Sequence, residues 1–178
     1  VSTGLFFLVD PIDGTKEFIN KRDEFTINIA LLENGAPIAG IVCAPALGRC
    51  FVGEVGSGAS EIDLKSEAKK TIRTSTPDND ALKFVASRSH LSPETKAFID
   101  AHRVGDMKSA GSSLKFCLIA TGEADLYPRF APTMEWDTAA GDAVLRAAGG
   151  TVEFPDGGSF IYGKPEYRNG PFIAKGSF

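Results

Sequence analysis

An apolar run that ends abruptly in two acidic residues is the feature that most constrains how this 178-residue chain can fold. Residues 5–9 read Leu-Phe-Phe-Leu-Val, and Asp10, Pro11 and Asp13 follow almost at once. Short continuous apolar runs are typical of strands buried on both faces, so we predict such a strand, with Asp10 at its carboxyl end. Pro11 favours a turn, which would hold the two carboxylates on one side of the chain.

Gly14 and Thr15, which follow the two acidic residues, are suited to binding a ligand. Glycine lets the backbone approach another group closely, and Thr15 would begin a helix with an N–H group that has no partner inside the helix. Two hard oxygen ligands beside a helix start suit a divalent cation that holds a phosphate. An ordinary Asp-Gly turn followed by a capped helix fits the same residues, so both interpretations stay open at this point.

Composition excludes several classes of protein. The chain is 43% apolar and 24% charged, as is ordinary for a globular protein. Its net charge of −4 gives no positive field for nucleic acid, so an anionic ligand has to be held locally. No stretch has transmembrane length and no signal peptide is visible, so we expect a cytoplasmic protein, with peripheral association with the inner membrane left open. Three cysteines are expected to be reduced core residues: Cys43, Cys50 and Cys117.

The order of strand and helix patterns predicts two parts. Three strand patterns follow the opening motif, and an Asn-Gly hairpin signal between the first two predicts an antiparallel meander. From residue 84 onwards, strand and helix patterns alternate. We therefore expect a sheet-rich part at residues 1–78 and an α/β part at residues 79–178, with the active site between them. The three strand patterns cover residues 25–31, 38–43 and 49–55.

A predicted helix near Asp137 supplies a third acidic position. Its positions Ala140, Ala143, Val144 and Ala147 form a stripe of mostly small residues, so we expect this helix to pack closely against a sheet. An aspartate at a helix start is most often a cap. If Asp137 instead faces the first two acids, the repulsion among three carboxylates calls for cations, and two Mg²⁺ ions suit phosphate ester hydrolysis.

Three further stretches offer groups for an anion. The segment Gly111-Ser112-Ser113 opens a predicted helix with Lys115 one turn in, which fits either an anion site or a plain serine cap with a solvated lysine. Arg129 lies on a Pro-containing turn and suits bidentate phosphate recognition. His90 follows a strand pattern, and a phosphate donor or a capping residue is favoured there over a general base.

The two acidic motifs together resemble the signature of a known family. Residues 10–15 (DPIDGT) and 136–141 (WDTAAG) are similar to the paired motifs of the lithium-sensitive, Mg²⁺-dependent phosphatases of the inositol monophosphatase superfamily. Residues 16–18 (KEF), 111–117 (GSSLKFC) and 127–130 (YPRF) further resemble the CysQ-type 3′(2′),5′-bisphosphate nucleotidases. The resemblance runs from the start of the chain nearly to its end.

The resemblance implies a fold and a reaction. The fold is a layered αβαβα arrangement of the α/β (α+β) class. The reaction is in-line attack of water on the 3′-phosphate of adenosine 3′,5′-bisphosphate, which gives AMP and phosphate without a phosphoenzyme, in sulfur assimilation. Phosphoadenylyl sulfate is a further possible substrate. Two or more Mg²⁺ ions and inhibition by Li⁺ are implied in the same way, and the oligomeric state is left open.

The resemblance also implies a role for each site residue. Asp10 would bridge two metal ions, with the Ile12 carbonyl on one and Asp13 and Asp137 on the other. The backbone N–H groups of the next two residues would hold the scissile phosphate, and a hydroxyl there would orient the water. The remaining candidates would bind the nucleotide and its second phosphate. These phosphate and nucleotide residues are Gly14, Thr15, His90, Ser112, Lys115 and Arg129.

One departure from the family and two alternatives accompany this interpretation. Family members carry upstream helices with a metal-binding Glu, and this sequence shows no counterpart, so we expect an exposed apolar face or a need for a further segment. An inositol monophosphatase-like enzyme is the first alternative, although Lys16, Lys115 and Arg129 favour a doubly phosphorylated substrate. A catalytically silent scaffold that binds metal or nucleotide is the second.

Overall fold

The computed structural model describes residues 4–87 and 91–178. The first part of the chain forms a six-stranded antiparallel sheet in which the strands pair in sequence order. A short helix, α1, follows the first strand. The elements are β1 Leu5–Asp13, α1 Thr15–Ile19, β2 Thr26–Glu33, β3 Ala36–Ala44, β4 Arg49–Glu54, β5 Gly58–Asp63 and β6 Lys69–Ile72.

The second part forms a five-stranded mixed sheet, a two-stranded ribbon and three helices. The mixed sheet has the order β11-β13-β9-β7-β8, and β7 runs parallel to both of its neighbours. The ribbon pairs β10 with β12. The elements are β7 Leu82–Ala86, α2 Pro93–Asp100, β8 Val104–Ser109, α3 Leu114–Ala120, β9 Leu126–Arg129, β10 Thr133–Met134, α4 Ala139–Ala147, β11 Thr151–Glu153, β12 Arg168–Asn169 and β13 Phe172–Lys175.

The elements stack in layers, which confirms the predicted layered α/β fold. Helix α4 packs against β3 and β4 of the larger sheet and against α3, while α3 contacts β9 and β13 of the smaller sheet. Helix α2 covers the far side of the smaller sheet, where Ile99 joins Phe84 and Leu126 in a separate apolar cluster. One main core joins residues from both parts of the chain, with Phe51 from the larger sheet and Phe172 from the smaller sheet in the same cluster. This core spans the predicted boundary near residue 78, and the division into two parts stays a prediction.

The opening strand differs from its prediction in burial. Leu8 is buried, but Leu5 and Phe7 are 63% and 64% exposed, so in the described chain the strand is not buried on both faces. Their face continues across the sheet, because Val9 pairs with Ile29 and Ile29 with Ile41, and all three are exposed. The sheet thus carries the apolar outer face that was expected.

The three cysteines divide between core and surface. Cys117 is buried, as predicted. Cys43 and Cys50 lie opposite each other on β3 and β4 and are only partly buried, so the core assignment is wrong for these two. All three are free thiols. None of the described helices is long and apolar enough to cross a membrane.

Candidate metal and phosphate site

Three carboxylates from two distant motifs meet where β1 ends. Asp10 and Asp13 lie on β1, and Asp137 closes the 3-10 turn Glu135–Asp137 that leads into α4. Each offers an oxygen that lies within 4.8 Å of the oxygens of the other two. The structure therefore brings together the three acids that the sequence singled out, although the two motifs lie far apart along the chain.

Local geometry at the end of β1 shapes the first motif. The pairing of β1 with β2 is irregular between Asp10 and Asp13, so the strand bends where the acids lie. Asp10 Oδ1 accepts a hydrogen bond from the Ile12 N–H at 3.0 Å. Gly14 has φ 82°, a left-handed conformation that suits glycine, and α1 starts at the next residue. Thr15 Oγ1 donates to the Ile12 carbonyl at 3.3 Å, next to the acids.

Ionising the three acids together is unfavourable in free energy, because they are partly buried and repel one another. Burial raises the pKa of Asp137 to about 6, an effect that the Met134 N–H opposes and the charges of Asp13 and Asp10 increase. Burial also raises the pKa of Asp10, with a smaller contribution from the charge of Asp13. A cation among these oxygens would offset the repulsion, and a set of carboxylates is the donor set that Mg²⁺ prefers. The residues present thus fit a divalent metal.

A cavity of about 330 Å³ opens beside the triad. It unites residues from β1, α1, the start of α3, the end of β9 and the turn before α4. Its lining combines two of the three acids with most of the predicted phosphate-binding residues. Asp10 and Ile12 are not among the lining residues, and His90 lies outside the described residues. The predicted residues that line it are Asp13, Gly14, Thr15, Lys16, Ser112, Lys115, Arg129 and Asp137.

Lys115 is not the solvated lysine of the alternative interpretation. Its side chain is buried, and its Nζ donates to the Ser112 carbonyl at 2.6 Å and lies 5.1 Å from the centre of the Tyr127 ring. Burial lowers its pKa to about 8, although the charge of Asp13 opposes this. Lys115 therefore braces the loop around Ser112, whose φ of 48° is unusual for serine, and also lines the cavity.

Arg129 lies at the end of β9, where the strand reaches the cavity. Its Nε donates to the Ala131 carbonyl at 3.1 Å, and this bond fixes the Nε end of the guanidinium group. No salt bridge to Arg129 is present within the described residues. Its charge is thus available at the cavity.

Several residues that support the site gave no local signal in the sequence. Glu135 is fully buried, accepts hydrogen bonds from the Gly163 and Lys164 N–H groups, and pairs with the Lys164 ammonium at 2.7 Å. These contacts anchor the turn that carries Asp137. The sequence places Glu135 beside the second motif, but its partners lie 28 and 29 positions away. Two other buried residues around Asp13, Thr26 and Asn28, were also missed. Ser113 was predicted only as part of a helix start that fits an anion site or a serine cap, and not as a partner of Asp13.

The layered fold and the acid-lined cavity define an α/β protein with a site suited to a divalent cation and a phosphate. The chain belongs to the inositol monophosphatase family, because the model of that family matches residues 1–175. The resemblance seen in the two acidic motifs is thereby confirmed.

Two relatives of known name are similar to this chain over most of its length. The chain is 46% identical over 147 residues to the 3′(2′),5′-bisphosphate nucleotidase CysQ of Escherichia coli (strain K12), a match that covers 83% of this chain and 58% of that protein. It is 43% identical over 157 residues to the CysQ of Buchnera aphidicola, covering 88% and 58%. The chain thus spans less than two thirds of the length of these relatives.

Solved structures agree with this comparison. The crystal structure of CysQ from Bacteroides thetaiotaomicron superposes with a TM-score of 0.87 at 40% identity, covering 98% of this chain and 70% of that one. An inositol monophosphatase from Anabaena superposes with a TM-score of 0.80 at 25% identity, covering 98% and 68%. The CysQ structure is the more similar of the two in sequence and in fold.

Proposed function

We propose that the protein carrying this chain is a Mg²⁺-dependent 3′(2′),5′-bisphosphate nucleotidase that converts adenosine 3′,5′-bisphosphate to AMP and phosphate. The observation that carries the proposal is a cavity lined by two of the three acids and by two cationic side chains, Lys115 and Arg129. The third acid, Asp10, has an oxygen within 4.8 Å of oxygens of the other two. The similarity to CysQ proteins supports the choice of substrate.

The triad is the proposed metal site. Asp10, Asp13 and Asp137 would supply carboxylate oxygens, and the Ile12 carbonyl a further ligand. Bound Mg²⁺ would offset the charge of the phosphate and lower the pKa of the attacking water. Two or more ions, and inhibition by Li⁺, are part of the proposal by analogy with the family.

The residues after the triad would orient the reactants. Thr15 Oγ1 donates its proton to the Ile12 carbonyl, and no described residue donates to this oxygen. Its lone pairs could therefore accept a hydrogen bond from water and direct that water at the phosphorus. The N–H groups of Gly14 and Thr15 would hold the scissile phosphate. Donors placed before the reaction lower the barrier because they need no reorganisation as charge develops.

The cationic side chains would select a doubly phosphorylated substrate. Arg129 presents a planar fork that matches phosphate oxygens, while Lys115 and Lys16 add positive charge at the same cavity. Ser112 would contribute its hydroxyl, and His90 is a further candidate. A phosphorylated polyol with one phosphate needs fewer cations, so a small nucleotide bisphosphate is the proposed partner. Phosphoadenylyl sulfate is a possible second substrate, and the cytoplasm the proposed location.

Phosphate release tests the proposal. This chain and the natural reading frame that contains it are assayed with Mg²⁺ on adenosine 3′,5′-bisphosphate and inositol 1-phosphate. We expect the nucleotide to be preferred and Asp137→Asn to abolish turnover. Preference for inositol 1-phosphate would contradict the proposed nucleotide substrate, but it would leave the proposed metal site unchanged. Metal binding without turnover, in folded protein of both lengths, would instead identify a silent scaffold.

A further inference from the structure

We propose that Ser113 is a positioning residue that joins the two acidic motifs, with its backbone N–H holding Asp13 and its hydroxyl holding the main chain of Asp137. The inference deepens the proposed function and rests on its metal site. Ser113 precedes α3 and lies 100 positions from Asp13 and 24 from Asp137. It is 1% exposed, so water does not compete for its contacts.

The contacts on Asp13 divide its two carboxylate oxygens into different roles. Oδ2 lies 2.6 Å from the Ser113 backbone nitrogen and 3.0 Å from the Ser113 hydroxyl. Asn28 Nδ2 and Thr26 Oγ1 lie 3.2 and 3.3 Å from the same oxygen. Among the described residues no donor reaches Oδ1. Protein donors therefore hold Oδ2, and Oδ1 is the oxygen that stays free for a cation.

The Ser113 hydroxyl has one proton and two acceptors within reach. Its Oγ lies 2.5 Å from the Asp137 carbonyl oxygen and 3.0 Å from Asp13 Oδ2. The shorter contact assigns the proton to Asp137, while the backbone N–H alone keeps a strong bond to Asp13. Asn28 Nδ2 donates to the hydroxyl oxygen at 2.8 Å and so fixes the rotation of the hydroxyl. One residue thus serves each motif through a different group.

The orientation of the Asn28 side-chain amide supports this interpretation. It is 1% exposed, and its Oδ1 is buried without a hydrogen-bond partner among the described residues. An unpaired buried acceptor destabilises the folded protein, because it loses its hydrogen bond to water without replacement. A flipped amide would place oxygen against Asp13 Oδ2, where two acceptors repel. The orientation present keeps both donations, to Asp13 and to Ser113, at the expense of the other end of the amide.

The network has a specific consequence for metal binding. Without a cation the three carboxylates repel each other, and any freedom in the turn that carries Asp137 would let the acids separate. The Ser113 hydroxyl opposes that separation, because it ties the main chain of Asp137 to the residue that already holds Asp13. Ligands that are held at binding distance before the metal arrives give higher affinity, and losing such a support typically costs about 10–100-fold.

Mn²⁺ titration of four proteins tests the inference. Ser113→Ala keeps the backbone N–H and loses the hydroxyl, so we expect its Mn²⁺ affinity to fall about tenfold or more. Ser113→Thr keeps a hydroxyl and should restore most of the affinity. Ser75→Ala is the matched control, because Ser75 Oγ donates to the buried Asp125 at 2.8 Å before β9, at the end of that strand away from Arg129. It should lose stability without losing Mn²⁺ affinity.

Three results would overturn the inference: wild-type affinity in Ser113→Ala, equal losses in Ser113→Ala and Ser75→Ala, or no rescue by Ser113→Thr. If Ser113→Ala does not fold, Ser113→Cys retains the volume with a much weaker donor and should show the same loss.

A crystallographic comparison separates this inference from the metal site itself. If the wild type binds no Mn²⁺, the proposed metal site fails. Metal-free structures of the wild type and Ser113→Ala then still test the positioning role. We expect the Asp137 turn to move away from Asp13 by about 0.5 Å or more, the tolerance within which functional groups are usually held. An unmoved turn would contradict the role of Ser113 whether or not metal binds.

Discussion

A Cβ atom added to Gly40 would lie 2.5 Å from the carbonyl oxygen of Ala140, so β3 and α4 touch through their backbones. Gly53 on β4 makes the same kind of approach, since a Cβ added there would lie 2.7 Å from Val144 Cα. The stripe of small residues predicted this close packing of helix against sheet, and the structure confirms it. Because α4 begins just after Asp137, the contact also places the second acidic motif on the sheet that carries the first.

Replacing Gly40 by Ala should destabilise the protein. The added methyl would meet the Ala140 carbonyl and the Ala143 side chain, and overpacking of this kind typically costs about 1–3 kcal/mol. Urea unfolding followed by circular dichroism measures the change. Gly170→Ala is the control, because no atom of the described residues lies within 4 Å of its added Cβ. Equal midpoints for the two variants would show that β3 and α4 are not in backbone contact.

Asp137→Asn should stabilise the metal-free protein while weakening its metal binding. Since burial and the neighbouring acids raise the pKa of Asp137 to about 6, its charge is unfavourable in the folded state at neutral pH. Removing that charge should add about 1–2 kcal/mol, and the amide oxygen can still accept from the Met134 N–H. Unfolding with and without Mn²⁺ measures both effects. Asp156→Asn, in an exposed turn, should change neither, and a less stable Asp137→Asn would contradict the account.

The pH dependence of metal binding follows from the same groups. The pKa values of Asp137 and Asp10 are raised in the folded protein, so protons compete with the cation as pH falls through about 6. We expect Mn²⁺ affinity to vary little above about pH 7 and to fall by up to about tenfold per pH unit below about 6 for each proton displaced. Titrations on both sides of that pH test this. Constant affinity over the range would place the metal away from Asp137.

The contribution of Asp137 to stability without metal should show the opposite trend with pH. An acid whose folded pKa is raised binds more protons when folded than when unfolded, so its unfavourable contribution disappears as pH falls from about 6 towards about 4. The difference in unfolding free energy between Asp137→Asn and the wild type should therefore shrink over that interval. A difference that stays constant from neutral pH down through that interval would show that charge is not its cause.

Arg129→Met should weaken binding of a bisphosphate more than of a monophosphate. If the guanidinium binds the second phosphate, its loss costs adenosine 3′,5′-bisphosphate about tenfold or more in affinity and leaves adenosine 3′-monophosphate nearly unchanged. Calorimetric titration of both nucleotides in the presence of Ca²⁺ measures this. Arg73→Met, at an exposed arginine outside the cavity, is the control. Equal losses of affinity for both nucleotides would show that Arg129 attracts any phosphate at the cavity and does not bind the second phosphate specifically.

Local patterns predicted the parts of the fold that local chemistry determines. The strand before Asp10, the helix after Asp137 and the turn at Asn34 and Gly35 all follow from neighbouring residues, and the two turn residues have φ values of 51° and 81°. Strands β5 and β6 gave no such signal, because their residues are largely polar and gain their order from pairing with β4 and with each other. Strand β1 was misjudged because an apolar run alone does not reveal how many faces are covered.

The support of the site was beyond sequence reasoning for a different reason. The acids carry a motif, but the donors that hold them come from other elements. Ser113 reaches Asp13 across 100 positions, and Glu135 reaches Lys164 across 29. Serine and glutamate are common, and only the folded chain shows which of them are buried against a functional carboxylate. Lys115 likewise matched its motif, while its contact with the Ser112 carbonyl required the structure.

Anomalous diffraction from crystals soaked in Mn²⁺ locates the metal in the proposed site without an activity assay. We expect anomalous peaks among the carboxylates of Asp10, Asp13 and Asp137, and we expect these peaks to be lost in Asp137→Asn crystals. Such peaks would establish the metal site independently of any turnover assay. Well-ordered crystals in which the triad stays empty, or in which Mn²⁺ binds only elsewhere, would contradict the account.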